Sequence, residues 1–328
     1  MKALLVDNSG GKPKMNIGEY PTPKPAENEI LVKVEATALN RADLLQKKGN
    51  YPVPEGASPI LGLEISGTVE AIGREVTRFN PGEKVFGLLS GGGYAEYCVI
   101  HERMGLHLPE NFSFEEAAAI PEAFLTAFQA LKPLGEIQKN ERILIHAGGS
   151  GVGTAAIQLA RHLFQARVIT TAGQTGKLET CKKLGAESTI NYKKEDFAEV
   201  IQTHLGKSSV NLIIDFVGSP HWHKNIEILS IDGRLILLAM LGGKKVKEMN
   251  LLPFLRKRLT LKGSTLRNRT EDYKIRLTSD FHSYAMELIE KQVIQPVIDS
   301  VFDWKDVENA HERMANNKNT GKIILVGM

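Results

Sequence analysis

The chain has 328 residues, 42% of them hydrophobic and 24% charged, which is typical of a globular protein and long enough for two domains. Its net charge of +3, from 41 basic and 38 acidic residues, is too small to indicate nucleic acid or a membrane as the main partner. No stretch approaches ~18 uninterrupted apolar residues, so we expect no membrane span. The only two cysteines, Cys98 and Cys181, indicate free thiols and a cytoplasmic location.

Residues 1–112 are predicted to form a β-rich domain. The segments EILVKVEATALN, EISGTVEAIG, EKVFGLL and YAEYCVI alternate or run apolar, and turn residues bound each of them. A helix signal in this part is confined mainly to RADLLQKK. Beyond it, Ser113 and Glu116 predict a capping box for the helix SFEEAAAI, and Pro121 suits the first turn of the helix PEAFLTAFQAL.

From Arg142 onward, predicted strands alternate with predicted helices. The strands are RILIH, RVITT, VNLIIDFVG and GRLILLAM, and the helices between them include GVGTAAIQLARHLF and GKLETCKKLG. This alternation predicts a parallel sheet with helical crossovers. A helix near YAMELIEKQ and a strand, GKIILVGM, follow. That last strand can extend the parallel sheet or pack with the N-terminal β domain, and the sequence leaves both possibilities open.

The segment HAGGSGVGTAAIQLA, residues 146–160, nearly matches the dinucleotide-binding pattern G-x-G-x-x-G, with Ser150 at the middle glycine. It follows an apolar strand and opens an amphipathic helix, as pyrophosphate binding requires. We expect Gly148 to allow the tight turn, Gly153 to let the backbones approach, and the N–H groups of 150–153 to face the pyrophosphate. Ser150 adds a hydroxyl donor. The alternative is a glycine-rich turn without a ligand.

The end of the next strand favours NADP(H) over NAD(H). Enzymes that use NAD usually carry a carboxylate there for the ribose 2′-hydroxyl, but positions 170–173 are Thr, Thr, Ala and Gly. Lys177 follows in the next turn and supplies positive charge for a 2′-phosphate. The alternative for Lys177 is an ordinary solvated helix lysine.

The sequence predicts no metal site. Dehydrogenases of this two-domain kind often use catalytic zinc, which needs three or four Cys, His or carboxylate ligands. The turn TALNRADLL offers Asn40, LGLEISG offers Leu63 before Glu64, and no C-x-x-C spacing occurs. His221 and His223 lie two residues apart, so their side chains diverge on a helix, and we interpret this HWH segment as a surface helix.

Seven segments, in this order, resemble the zinc-free quinone oxidoreductases of the medium-chain dehydrogenase/reductase superfamily, zeta-crystallin-like branch. They are ALNRADLLQKKGNYPVPEGAS, LGLEISGTVEAIG, AAIPEAFLTAFQAL, HAGGSGVGTAAIQLA, NYKKEDF, GSTLRNR and NKNTGKIIL. The resemblance covers nearly the whole chain and is greatest to the tumour-suppressor-inducible quinone oxidoreductase subgroup.

The resemblance implies an α/β protein, with a GroES-like β-rich catalytic domain and a Rossmann domain built on a doubly wound parallel sheet. The GroES-like domain would comprise residues 1–122, completed by 264–328, and the Rossmann NADP-binding domain residues 123–263. Family members form dimers by edge-to-edge pairing of their Rossmann sheets, for which RLTLKGS provides a strand. We therefore expect a homodimer or a higher homo-oligomer.

The resemblance also assigns residues to the cofactor NADPH. Those implied to contact its nicotinamide half are Asn40, Tyr51, Thr126, Val217, Met240, Leu241, Ser264 and Leu266, with Asn317 approaching from the tail. Those implied for the pyrophosphate are Gly148, Ser150, Gly151 and Val152, and those for the 2′-phosphate are Gly173, Lys177 and Tyr192. Gln174 departs from the serine that is frequent in the family, which leaves the strictness of the NADPH preference open.

The activity that the resemblance implies is hydride transfer from NADPH to a quinone or another conjugated carbonyl. We expect a proton or a hydrogen bond for the quinone oxygen to come from Tyr51, or from water held by Asn40 and Asp43. Asn40 as a helix cap and Tyr51 as a packing residue are the structural alternatives. An NADPH-dependent reductase of enones or enoyl thioesters and a non-catalytic NADPH-binding protein are the functional alternatives.

Overall fold

The structure is a computed structural model that describes residues 1–328. The chain forms two compact units. The first unit comprises residues 1–125, 266–290 and 296–328, and the second comprises 126–265 and 291–295. The domain boundaries implied by the family resemblance stay a prediction, and 291–295, which that prediction gave to the β-rich domain, belong to the second unit. No helix is both long enough and apolar enough to cross a membrane.

The chain contains fifteen strands and ten α-helices. The strands are β1 Lys2–Asp7, β2 Lys14–Glu19, β3 Glu29–Ala38, β4 Glu64–Ile72, β5 Lys84–Leu88, β6 Tyr97–His101, β7 Gly105–His107, β8 Arg142–Ile145, β9 Arg167–Ala172, β10 Ser188–Asn191, β11 Val210–Asp215, β12 Leu229–Leu237, β13 Thr260–Gly263, β14 Ile298–Asp303 and β15 Lys322–Val326. The helices are α1 Arg41–Lys47, α2 Phe114–Ala118, α3 Pro121–Gln129, α4 Gly151–Gln158, α5 Thr175–Lys183, α6 Phe197–Leu205, α7 Trp222–Ile228, α8 Leu252–Lys257, α9 Glu271–Glu290 and α10 Val307–Ala315.

The first unit is built on a seven-stranded sheet in which β14, β15, β3, β4, β5 and β7 lie in that order, and β6 pairs with β3. The C-terminal strand β15 pairs antiparallel with β3, with Leu325 opposite Thr37. This pairing decides between the two possibilities left by the sequence, because the last strand returns to the N-terminal sheet. The predicted capping box is confirmed: Ser113 Oγ accepts from the Glu116 backbone N–H at 3.2 Å, and Glu116 Oε2 accepts from the Ser113 N–H at 2.9 Å.

The second unit is built on a six-stranded parallel sheet with the order β10-β9-β8-β11-β12-β13. The predicted parallel sheet is therefore confirmed. Numbered along the chain within this unit, the order is 3-2-1-4-5-6, which is that of dinucleotide-binding Rossmann folds. The order in which the strands are added to the sheet changes direction between β8 and β11, and in such sheets ligands bind beside the carboxyl ends of the strands at this point. The expected α/β architecture is present.

Two elements of the C-terminal part were not predicted, and the predicted helix near YAMELIEKQ is longer than its pattern suggested. Helix α9 runs for 20 residues and buries Lys274 and Thr278 along with its apolar side chains, so polar residues interrupt the apolar stripe. Strand β14 has the sequence IDSVFD and is only partly buried. Helix α10 buries His311 among its few apolar residues. The buried residues of α10 are spaced as on one face of a helix, but two of the four, Ala310 and His311, are not strongly apolar, so the pattern is weak in the sequence.

Candidate cofactor and catalytic sites

The glycine-rich loop of the second unit connects β8 to α4. Ser150 is the N-cap of α4, and its Oγ accepts from the Gly153 backbone N–H at 3.0 Å. The backbone N–H of Ser150 donates to Ala147 O at 2.9 Å. Of the N–H groups expected to face a pyrophosphate, those of 150 and 153 are thus used within the loop. Those of Gly151 and Val152 begin the helix and have no acceptor in a preceding turn, which leaves them available to an anion.

The glycines of this loop are required by packing. A Cβ on Gly148 would lie 2.0 Å from Thr170 Oγ1, and one on Gly153 would lie 2.4 Å from Ala147 O. The left-handed residue of the turn is Ala147, with φ of 51°, and Gly148 itself has no positive φ. Gly148 is needed because the loop presses against β9. Gly153 allows the close approach of helix and loop, as the sequence predicts.

Two close approaches show where the residues predicted for the adenosine 2′-phosphate lie. A Cβ on Gly149 would lie 2.8 Å from Lys177 Cδ, so the lysine stem runs along the glycine loop. A Cβ on Gly173 would lie 2.9 Å from the Tyr192 hydroxyl oxygen. Tyr192 is 45% exposed and presents an aromatic face to solvent. Gln174 is the N-cap of α5 and its side chain makes no capping hydrogen bond. The second unit thus brings Lys177 to the glycine-rich loop and Tyr192 to Gly173.

The turn after β11 is organised by the buried carboxylate of Asp215. Its Oδ1 accepts from the backbone N–H groups of Val217, at 2.6 Å, and Gly218, at 3.2 Å. The Leu241 N–H donates to Phe216 O at 3.0 Å, which joins this turn to the segment after β12. Val217, Met240 and Leu241 are thereby brought together at the carboxyl ends of β11 and β12. Met240 and Leu241 are 44% and 56% exposed and form an apolar surface.

His146, Asp215 and His221 offer potential metal-ligating atoms that all lie within 4.8 Å of one another. Asn225 Nδ2 donates to Asp215 Oδ2 at 3.2 Å, which turns the amide oxygen Oδ1 toward His146 Nε2 at 2.8 Å. An amide oxygen only accepts, so Nε2 carries the proton and Nδ1 accepts from the Thr171 hydroxyl at 2.9 Å. Burial lowers the pKa of His146 to about 4, which keeps it neutral. Both imidazole nitrogens of His146 are engaged by Thr171 and Asn225, so His146 is not available to a metal ion in this arrangement.

The interpretation of the HWH segment as a surface helix is wrong for His221. The ring of His221 packs against that of His146, with centroids 4.4 Å apart, and its Nδ1 is buried without a hydrogen-bond partner. His223 is exposed, and its Nε2 lies 3.2 Å from Lys247 O. Position 221 lies just before the first residue of α7, and the contact with His146 shows that the His221 side chain is directed inward.

Thr126 and Ser264, both assigned by resemblance to the nicotinamide half, lie in the second unit. The hydroxyl of Thr126 is buried and has no hydrogen-bond partner in the protein. Ser264 Oγ donates to Gln129 Oε1 at 3.2 Å, one turn beyond Thr126 on α3. A buried hydroxyl without a partner costs about 1–3 kcal/mol, so Thr126 is well suited to a ligand that supplies the missing hydrogen bond.

Asn40 in the first unit belongs to a buried ion-pair network with Glu64 and Lys322. Asn40 Nδ2 donates to Glu64 Oε1 at 2.7 Å, and Lys322 Nζ donates to Asn40 Oδ1 at 2.7 Å and to Glu64 Oε1 at 2.6 Å. The remaining Lys322 donor reaches Leu39 O at 2.8 Å. Glu64 Oε2 accepts from the Glu122 backbone N–H at 2.7 Å, at the start of α3. Every polar atom of these three side chains is thus engaged, and Asn40 is held in one orientation.

Asp43 is fully buried and fixes the start of α1. Its Oδ2 accepts from the Asn40 backbone N–H at 2.7 Å and from the Tyr94 hydroxyl at 3.3 Å, and its Oδ1 accepts from the Gly62 N–H at 3.1 Å. Burial raises the pKa of Asp43 to about 6. The Tyr94 hydroxyl also lies 3.3 Å from His311 Nε2. These contacts give Asp43 a structural role beside Asn40.

Tyr51 lies in the first unit beside two charged residues that the sequence did not single out. The Arg267 guanidinium lies 5.4 Å from the centre of the Tyr51 ring. Burial raises the pKa of Tyr51, and the Glu122 carboxylate raises it further. Glu122 Oε2 is buried without a hydrogen-bond partner, and burial, reinforced by Glu64, raises the Glu122 pKa to about 8. Glu122 therefore carries a proton at neutral pH.

Two further predicted residues lie in the first unit. Leu266 is 4% exposed. Asn317 has a left-handed backbone with φ of 54°, and its Oδ1 accepts from Arg41 Nη2 at 2.7 Å. The first unit therefore holds Asn40, Asp43, Tyr51, Leu266 and Asn317. The residues in the second unit are Thr126, Gly148, Ser150, Gly151, Val152, Gly173, Lys177, Tyr192, Val217, Met240, Leu241 and Ser264.

Sequence reasoning missed Lys322, Glu122 and Arg267, and it considered Glu64 only as part of a possible zinc turn. Nothing in the local pattern of GKIIL marks Lys322 as a buried lysine, because its partner is far away in the chain. Glu122 stands in the first turn of a helix, where acidic residues are common for electrostatic reasons.

Two family models match this chain. Residues 26–110 match the alcohol dehydrogenase GroES-like domain, and residues 151–291 match the model described as zinc-binding dehydrogenase. The first match falls on the β-rich unit. The second begins in the glycine-rich loop and covers most of the parallel sheet.

Several known proteins are similar over their whole length. Quinone oxidoreductase-like protein 2 of Bos taurus is 31% identical over 310 residues, which cover 94% of this chain and 88% of that protein. Quinone oxidoreductase of Homo sapiens is 28% identical over 336 residues, which cover 99% and 98%. The crystal structure of Escherichia coli quinone oxidoreductase complexed with NADPH has a TM-score of 0.86 and 28% identity, and the match covers 99% of each chain.

We predict that Lys322→Met destabilises the first unit by about 3–5 kcal/mol, because it leaves the fully buried Glu64 carboxylate without its cation. Replacing both partners, as Lys322→Met with Glu64→Gln, is expected to restore a large part of that loss. Denaturant unfolding followed by Trp304 fluorescence in a Trp222→Phe background reports on the first unit, whose core contains Trp304. Equal destabilisation by the single and the double replacement would contradict a coupled ion pair.

Proposed function

Because this chain belongs to the quinone oxidoreductase family of the medium-chain dehydrogenase/reductase superfamily, we propose that it transfers a hydride from NADPH to a quinone or a similar conjugated carbonyl. The quinone oxidoreductases of Homo sapiens and Escherichia coli support the activity, and the NADPH complex of the latter supports the cofactor. The observation that carries the proposal is the loop from Gly148 to Gly153. Packing leaves no room for a side chain at either of these glycines. The N–H groups of Gly151 and Val152 begin a helix at the point where the strand order of the sheet changes direction.

The residues of the second unit fit NADPH. The N–H groups of Gly151 and Val152 and the Ser150 hydroxyl would hold the pyrophosphate. Lys177, with Gly173 and Tyr192, would hold the 2′-phosphate. The partnerless Thr126 hydroxyl suits the polar carboxamide of the nicotinamide. When bound, NADPH supplies the hydride, and the protein contributes binding, orientation and electrostatics.

The apolar surface of Val217, Met240 and Leu241, together with Ser264, is proposed to line the nicotinamide half in the second unit. In the first unit, Asn40, Tyr51, Leu266 and Asn317 are proposed for the same role. The network with Glu64 and Lys322 supports the assignment of Asn40, because it holds the side chain rigidly. Rigid positioning of groups around a reacting ring lowers the entropy cost of the reaction.

We propose that this reaction needs no catalytic zinc, although residues 151–291 match a model of zinc-binding dehydrogenases. The oxygen atoms that Asn40 and Glu64 could offer to a metal accept instead from the Lys322 ammonium, at 2.7 Å and 2.6 Å. A buried cation in this position repels a second cation. These residues therefore do not fit a zinc ion.

The proton for the quinone oxygen is proposed to come from Tyr51 and Glu122 rather than from Asp43, whose oxygens both accept hydrogen bonds within the protein. Tyr51 supplies a hydroxyl group. Glu122 is protonated at neutral pH, and its buried Oε2 has no partner in the protein. An acid whose pKa lies near the working pH is the most effective proton donor.

We predict that the purified protein oxidises NADPH with quinones, and faster than with enones or enoyl thioesters, and that chelators do not change the rate. Lys177→Met should raise the KM for NADPH about 10–100-fold, because a charge-assisted contact to the 2′-phosphate is lost, and should change the KM for NADH by less than about twofold.

The matched control for Lys177→Met is Lys183→Met, an exposed lysine at the end of the same helix, which should leave both KM values unchanged. Tight NADPH binding without turnover on any acceptor would contradict the enzyme and favour a non-catalytic NADPH-binding protein. A clear preference for enones would assign the reductase of conjugated carbonyls instead.

The rate of quinone reduction is predicted to fall as the pH rises through about 8, because Glu122 then loses the proton that it holds at neutral pH. In Glu122→Gln this fall should disappear. Tyr51→Phe should lower kcat by about tenfold, a small effect for a proton donor because hydroquinone anions are fairly stable. Steady-state kinetics between about pH 6 and pH 10, at a saturating concentration of NADPH, measure both effects. Unchanged turnover of Tyr51→Phe on several quinones would remove Tyr51 from the mechanism.

A homodimer formed through β13 is also proposed. This strand is the edge of the parallel sheet and pairs only with β12, and its Leu261 is 41% exposed. Exposed edges of this kind pair readily with another strand, as in the dimers that the family resemblance implies.

Light scattering is expected to give the mass of a dimer for the unmodified chain and that of a monomer for Leu261→Lys, because a charge on an edge strand opposes pairing. Val301→Lys is the matched control, since β14 is the edge of the other sheet and Val301 is 49% exposed. Dissociation by Val301→Lys, with a dimer retained in Leu261→Lys, would place the interface on the first unit.

A further inference from the structure

The first unit contains a cavity of about 470 Å³ that none of the functional assignments above uses. The loop 54–60, the glycine-rich segment 90–92, strand β6 and the segment 267–274 form most of its wall. All of its lining residues belong to the first unit. Its volume is sufficient for a small metabolite.

Two buried cations lie in the wall of this cavity. Arg267 is 3% exposed and Lys274 is 5% exposed. Both are bound to Ser90: Arg267 Nε donates to the Ser90 carbonyl oxygen at 2.9 Å, and Lys274 Nζ donates to the Ser90 hydroxyl oxygen at 2.6 Å. The two positive groups are therefore held close together on one residue.

Neither cation has a carboxylate partner. Arg267 Nη1 donates to Gln46 Oε1 at 2.7 Å, and the second bond of Lys274 Nζ goes to the Arg267 carbonyl oxygen at 3.3 Å. All of these acceptors are neutral. Of the glutamates that line the cavity, Glu55 and Glu271 are exposed, and the charge of Glu271 acts on Lys274 without an ion-pair contact between them. Burying a charge without a counter-charge is costly, and two neighbouring cations add their repulsion.

Both side chains have N–H groups that donate no hydrogen bond within the protein. Arg267 Nη2 is buried without any hydrogen-bond partner, and the Lys274 ammonium uses only two of its N–H groups. A buried guanidinium N–H that is left unpaired costs more than an unpaired neutral group. An anion that accepts from Nη2 and from Nζ would satisfy both donors and neutralise the local charge.

The backbone around these donors leaves room for an anion. Gly91 adopts φ of 150°, and a Cβ there would lie 3.4 Å from Arg267 Nη2 and 2.5 Å from Ser58 O. Any side chain at this position would therefore crowd the unpaired N–H. The N-terminus of α9, a 20-residue helix, also lies in the cavity wall at Thr270 and Glu271. The positive end of its dipole favours negative charge at the same place.

We propose that this cavity is a binding site for a small anionic molecule, whose carboxylate or phosphate group is held by Arg267 and Lys274. Carboxylates and phosphates both carry negatively charged oxygen atoms, and these atoms are what the two cations would bind. The cavity uses no residue of the glycine-rich loop or of the proposed 2′-phosphate pocket, but Arg267 also lies beside Tyr51, so the test measures binding and not turnover.

Calorimetric titration with inorganic phosphate and, separately, with succinate tests the proposal at constant ionic strength. Saturating NADP⁺ is present throughout, so that the phosphate sites of the second unit are blocked. We expect saturable binding of at least one probe to the unmodified chain, weakened about 10–100-fold in Lys274→Met, because a charge-assisted hydrogen bond is lost. Binding of phosphate alone would identify a phosphate site, and binding of succinate alone would identify a carboxylate site.

Arg276→Met is the matched control, since Arg276 is an exposed cation on the same helix two residues beyond Lys274, and it should leave binding unchanged. Ala57→Trp is a second variant, which fills the cavity from the loop 54–60 while both cations stay in place, and it should also weaken binding. The absence of saturable binding to the unmodified chain would overturn the proposal. A Lys274→Met variant that binds the probe as tightly as the unmodified chain would also overturn it. If Lys274→Met does not fold, the same result in Ala57→Trp would overturn it.

Discussion

The buried ion pair between Glu64 and Lys322 is the interaction on which the first unit most depends. It joins the first residue of β4 to the first residue of β15, far apart in the chain, at an N–O distance of 2.6 Å. Asn40 completes the network, and the other oxygen of Glu64 receives the backbone N–H of Glu122 at the start of α3. Two charges withdrawn from water are stable only when all their hydrogen bonds are made, and here they are. This requirement fixes the C-terminal strand, the turn before α1 and the start of α3 relative to one another.

The carboxyl groups of Asp43 and Glu122 lie near this network and form an unusual set of acids in the β-rich unit. Burial raises the pKa of both groups, and the positive charge of Lys322 lowers both pKa values without cancelling the effect of burial. Asp43 compensates by accepting three hydrogen bonds. Glu122 does not, which leaves it protonated and available for chemistry beside Tyr51. The ion pair stabilises the fold, while burial sets the acid–base character of the neighbouring carboxyl groups.

The second unit follows a different rule, since steric fit rather than charge shapes its site. The loop between β8 and α4 lies so close to β9 that Gly148 cannot carry a side chain, and this closeness leaves the first N–H groups of α4 open to a ligand. The serine in the middle of the motif caps that helix. Its hydroxyl oxygen bonds to the Gly153 N–H and to neither Gly151 nor Val152, so the departure from the glycine pattern leaves these two N–H groups available to an anion.

The sequence by itself determined the alternation of strands and helices that forms the parallel sheet, the glycine loop and the lack of a carboxylate after β9. Each of these features depends on residues that are close together in the sequence. The family resemblance, which seven ordered segments carried, extended this to the quinone oxidoreductase family. Only the tertiary structure decided the position of β15, the left-handed role of Ala147, the inward turn of His221 and the partners of Glu64, Arg267 and Lys274. These depend on contacts between distant segments and on burial, and a charged residue in a sequence looks the same whether water or a buried carboxylate surrounds it.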